Sequence, residues 1–133
     1  MWELALRVAG VVHLLIAAGN LLLPWLFDYR RRGVPGWDPF LRQIFHVHTF
    51  YIILVITGIG LLCLAFPTEL SGTAMGRAIC AGLTVFWAVR LVLGFAYYDR
   101  AELRRVWYFD WPFLLATLAF TGLFAACAMG LAL

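Results

Sequence analysis

Lysine is missing from this chain, and all ten of its basic residues are arginine, a bias that speaks of a GC-rich genome more than of any physical demand. Charge of either sign is scarce: 13% of the 133 residues are charged and 65% are hydrophobic, far from the balance of a water-soluble domain. That excludes a soluble fold. Acidic residues are absent from the interiors of the apolar runs, and Asp28, Asp99 and Asp110 lie in loops or at run boundaries. With no paired carboxylates, no serine–histidine–acid set and no glycine-rich phosphate loop, hydrolytic chemistry has no support. The small net charge of +3 suits anionic lipid headgroups and not nucleic acid.

What is present is long apolar sequence. Four runs, at about 5–27, 44–66, 77–97 and 112–133, each supply the roughly 20 residues that cross a hydrocarbon core. Their continuity, without period-two alternation, predicts helices and not a β-barrel. The expected fold is therefore a single all-α membrane domain, 1–133, with an up-down-up-down bundle of four transmembrane helices. The first run is too long for a signal-peptide core, and it is preceded by Met1-Trp2-Glu3 with no cationic leader, so it is read as a retained helix. Segment 28–43, with two prolines and two glycines, and the small-residue segment 68–76 read as loops, and Pro112 as the first turn of the fourth span.

Arginine counting sets the expected orientation. Arg30, Arg31, Arg32 and Arg42 follow the first span and Arg100, Arg104 and Arg105 follow the third, against Arg7 and Arg77 on the other side. The positive-inside rule then places loops 28–43 and 98–111 in the cytoplasm and both termini outside. Trp25, Trp37, Tyr97, Tyr98, Trp107, Tyr108 and Trp111 gather at the same boundary, as an interfacial aromatic belt does.

Polar residues within the spans are the candidate site. At about 1.5 Å per residue, Asn20, His48, Arg90 and Thr117 fall in one layer near the cytoplasmic boundary, one from each span. Together they could meet a ligand or a lipid headgroup, for instance a quinone carbonyl or a phosphate. An intramembrane arginine is a functional candidate because it must pair, meet water or snorkel. His13 and Asn20 share a helical stripe with Gly10, Ala17 and Pro24, expected to face the bundle. His46 and His48 are two residues apart and point about 160° away from each other on a helix, so they cannot chelate one ion, and no metal site is expected. The depth of His13 also differs from that of His46 or His48 by too much for a bis-histidine haem. The sequence leaves the inward face of the second span open, and no cofactor is identified.

Cys63 and Cys80 each lie about one turn from the outer boundary, while Cys127 reads as deeper in the fourth span. A Cys63–Cys80 disulfide is conceivable in an oxidising compartment, with packed thiols as the simpler alternative. Gly122, Ala126 and Gly130 repeat every four residues, as do Ala78 and Gly82, a pattern that permits close helix contacts.

The first span, Arg7-Val-Ala-Gly10 followed by Ala18-Gly19-Asn20-Leu21, resembles the opening helix of DoxX-like bacterial membrane proteins, a match that covers this one helix. The resemblance implies a small four-span protein of a bacterial inner membrane. A lysine common near the end of that helix is replaced here by Asn20 or Leu21, and the resemblance transfers no site residue. Expected function is that of a non-catalytic accessory subunit in a larger inner-membrane complex, for instance an energy-transducing one. Its partners would be membrane lipids and other membrane subunits or further copies of itself. The alternatives are a small redox, lipid- or quinone-binding protein with a cytoplasm-facing polar pocket, and an oligomeric transporter or channel.

Overall fold

The structure is a computed structural model that describes residues 1–26, 33, 36–97 and 107–131, without the side chains of 25, 26 and 107–110. Arg30, Arg31, Arg32, Tyr98, Arg100, Arg104 and Arg105, on which the orientation count leans, lie outside the described residues, as do the side chains of Trp25, Trp107 and Tyr108. Every regular element among the described residues is a helix: α1 Trp2–Leu26, α2 Pro39–Ala65, α3 Pro67–Gly72, α4 Ala74–Ala96 and α5 Trp107–Ala128. All but α3 are long and apolar enough to cross a membrane, and the chain is an integral membrane protein on that ground.

Helix ends follow local chemistry more closely than the apolar runs do. α2 starts ahead of its apolar run because Asp38 caps it: its Oδ1 accepts from the Phe40 backbone N–H at 2.9 Å, and Pro39 takes the first helical position, where no N–H is needed. α5 starts at Trp107, which puts Pro112 inside the helix. Its other end comes at Ala128, well before residue 133. Gly130 adopts φ +65° and donates to the Cys127 carbonyl, and Leu131 donates to that of Ala126, both at 3.1 Å. This is a Schellman stop, which needs a residue tolerant of left-handed backbone.

The chain divides into two compact units, residues 7–65 and residues 1–6 with 66–133. In the first, α1 meets α2 through glycine. A Cβ on Gly10 would lie 2.7 Å from Leu64 Cγ and 2.8 Å from the Gly60 carbonyl oxygen, and one on Gly60 would lie 3.0 Å from the Gly10 oxygen. The two backbones touch, which only paired glycines allow. Leu14 and His13 close over Gly60 from α1, and Ala17, one turn on, is also buried. On α2 the buried residues are Ile56, Ile59, Gly60 and Cys63. Continued toward the start of the helix, their stripe runs through the partly buried Ile53, Thr49, Phe45 and Arg42.

In the second unit the segment read as a loop folds into α3, begun by Pro67 at its first position. Thr73 ends it, with both its N–H and its hydroxyl donating to the Glu69 carbonyl. The same hydroxyl then caps α4 by accepting from the Gly76 N–H at 2.9 Å. A side chain at Gly76 would collide with the backbone of Glu69 and Leu70, so the tight α3–α4 corner requires glycine. Glu3 accepts from the Thr68 hydroxyl at 3.1 Å, tying the first turn of α1 to α3. α4 packs most extensively on α5, and the two run in opposite directions. Advancing along α4, Arg77 lies by Gly130, Cys80 lies by Cys127, Trp87 meets Phe120 with tilted rings 5.0 Å apart and Arg90 covers Phe113.

Candidate functional site

Polar side chains inside a span must bond to something, and here a recurring partner is the carbonyl one turn back on the same helix. The His13 Nδ1 lies 2.7 Å from the Ala9 oxygen. A carbonyl only accepts, so Nδ1 is the donor and carries a proton. Asn20 Nδ2 donates to Ile16 at 2.8 Å, Thr49 to Phe45 at 2.9 Å, Thr84 to Cys80 at 2.8 Å, and Thr117 to Phe113 and Thr121 to Thr117, both at 2.8 Å. Such back-bonding lowers the cost of a polar group in hydrocarbon without engaging a second helix.

The six sequence candidates separate into three settings. Arg90 and Thr117 come together. The Arg90 guanidinium carbon sits 4.9 Å from the centre of the Phe113 ring, and the carbonyl of that same Phe113 accepts from buried Thr117. Arg90 Nη1 lies 3.6 Å from where a Gly94 Cβ would stand, so the side chain runs toward the C-terminal end of α4. It is partly buried, with its stem along the helix and its head over an aromatic face, an arrangement worth about 0.5–2 kcal/mol as a cation–π contact.

His13 and Asn20 occupy the inward stripe of α1, His13 fully buried and Asn20 partly so. His46 and His48 are exposed on either side of the α2 stripe that ends in Thr49 and Phe45. The inward face of that helix is thus a third one, between the two histidines. His46 makes an edge contact with its neighbour Phe45 at 6.0 Å. Among the described residues no three histidine, cysteine or acidic side chains gather as a metal site.

Sequence reasoning overlooked the seam on which Arg90 and Thr117 stand. Cys80, Trp87 and Arg90 on α4 meet Cys127, Phe120 and Phe113 on α5, beside the buried Thr117 and Phe124. Trp87 and Phe124 are among the most buried side chains. The three-and-four spacing of these residues was available as a signal, but equally apolar residues occupy the other faces. Val85, Val89, Val92, Leu115 and Leu118 are all more than half exposed. Searches across protein families, curated proteins and solved structures returned nothing that matches this chain.

Proposed function

We propose that this protein is a non-catalytic accessory subunit of a bacterial inner membrane, working through the outer faces of its helices by packing against other membrane subunits or further copies of itself. One observation carries the reading: the exposed faces are both apolar and notched. Gly82 on α4, Gly122 on α5 and Gly58 on α2 are exposed, and a Cβ at any of them would meet nothing within 4 Å. Apolar side chains surround them, among them Val85, Leu118, Leu54 and Val55. A helix interior tolerates glycine at a cost of roughly 1 kcal/mol relative to alanine, and in lipid a notch of this kind lets a neighbouring helix come close. The reading includes an up-down-up-down course with the arginine-rich loops 28–43 and 98–111 in the cytoplasm, supported by the arginine distribution. The reading also takes the resemblance of the first span to DoxX-like proteins as pointing to a bacterial membrane.

Purification from native membranes in mild detergent, followed by mass spectrometry, tests it. Stoichiometric co-purifying membrane proteins or a stable oligomer are expected, lost when Gly82→Leu or Gly122→Leu fills a notch while helicity is kept. A stable monomer with no companion protein would sink the proposal.

Arg90 supports a second reading, a lipid- or quinone-binding protein with a polar pocket facing the cytoplasm. Its guanidinium, held over Phe113 and directed along α4 toward Gly94, is placed to reach an anionic headgroup at the end of the span. Native mass spectrometry of the wild type and of Arg90→Gln separates the two readings. Loss of bound anionic lipid in the variant favours the second, and identical lipid content removes it.

A further inference from the structure

We infer that Cys80 and Cys127 are a redox couple that closes into a disulfide joining α4 to α5. Four observations place the two thiols opposite one another. The Cys127 thiol has the Cys80 side chain within interaction range. Both are buried, Cys80 completely and Cys127 with 3% exposure. They occupy matching levels of the antiparallel seam, between the Arg77–Gly130 contact on one side and the Trp87–Phe120 contact on the other. And the Schellman stop at Gly130 ends α5 just beyond Cys127, so Cys127 lies at the helix end, level with Cys80 in the second turn of α4, and not deep in the span as the apolar run alone suggests.

Cys80 donates its S–H to the Leu70 carbonyl at 3.8 Å. Leu70 is held in place by the glycine corner at Gly76, so the carbonyl that orients Cys80 belongs to a rigid turn. Oxidation removes one hydrogen from each thiol and leaves a neutral S–S bond, so no charge is stranded in hydrocarbon, where it would be costly. The oxidant is a small lipid-permeant disulfide. One cysteine sulfur attacks it, forming a mixed disulfide and releasing the first reagent thiol. The second cysteine sulfur then attacks the first, forming Cys80–S–S–Cys127 and releasing the second reagent thiol. Two protein S–H bonds and one reagent S–S bond are consumed, and one protein S–S bond and two reagent S–H bonds are made. The inference does not rest on the lateral-packing reading of function.

The test uses the full chain in mild detergent with Cys63→Ser, so that two thiols remain, treated with dipyridyl disulfide, then denatured and alkylated. The expected result is a fall from two alkylatable thiols to none, an intact mass lower by two hydrogens, and two thiopyridone molecules released per chain. Either Cys80→Ser or Cys127→Ser, added to this background, should stop at a single mixed disulfide. Shifting the second thiol by one residue, with Cys127→Ala and Ala126→Cys, turns it about 100° around the helix and should prevent closure. Two thiols left untouched, two separate mixed disulfides, or equal closure in the shifted variant would each overturn the inference. So would a Cys63–Cys80 bond found by peptide mapping of the oxidised wild type.

Discussion

Where α1 meets α2, the carbonyl oxygens of Gly10 and Gly60 stand within 3.0 Å of each other's missing Cβ positions, and backbone touches backbone. Where α4 meets α5, the contact is made by bulk: Trp87 against Phe120 at 5.0 Å, Phe120 followed by Phe124 at 6.5 Å, and Arg90 laid over Phe113. In lipid neither contact gains from expelling water, because hydrocarbon surrounds both the separated and the packed helices. Each depends on close van der Waals fit, which falls off steeply with a small gap. The glycine crossing achieves fit by subtraction and tolerates no added atom. The aromatic seam achieves it by filling, and is vulnerable to removal.

That contrast can be broken from either side. The largest effect is expected for Trp87→Ala, which empties the centre of the α4–α5 seam and should cost about 3–5 kcal/mol, measured by unfolding in mixed micelles. Glycine variants act in the opposite sense, by addition. Gly10→Ala puts a methyl group against the Gly60 carbonyl and Leu64, and about 1–3 kcal/mol is expected, whereas the same change at Gly58 on the same helix pair should be neutral or stabilising. Equal effects at the two positions would mean that the crossing is not where the structure puts it. Asp38→Ala removes the cap of α2 and should cost about 1 kcal/mol, visible as lost helicity at its first turn and earlier amide exchange there. The smallest effect is expected for Gly122→Ala, within about 0.5 kcal/mol for the chain alone, its consequence appearing only in association with other subunits.

Much of the fold can be read from residue order, and the candidate site much less. Run length and scarcity of charge point to helices long enough to cross a membrane. The stripe of Gly10, His13 and Ala17 is recognisable because small and polar residues recur on one face. α3 is harder to anticipate: 68–76 has the composition of a loop, yet Pro67 and Thr73 supply a start and a stop, and the Gly76 corner becomes visible only once backbones meet. Gly130 repeats at the spacing of a packing stripe with Gly122 and Ala126, but its positive φ makes it a helix terminus. On α2 the choice between the His46 and His48 faces is offered by periodicity alone, and packing selects the face between them.

The sequence by itself determined that this chain is helical and membrane-embedded, because hydrocarbon leaves backbone amides no partners but their own helix and so many consecutive apolar residues have no other stable setting. Tertiary structure alone decided which sides of those helices meet. In a soluble protein the inward face is marked by hydrophobicity, but here valine and leucine cover the outward faces as fully as the seams. What distinguishes inside from outside is shape: a glycine opposite a glycine, a tryptophan opposite a phenylalanine, one thiol opposite another. Shape complementarity is a property of two surfaces brought together and is written in neither alone.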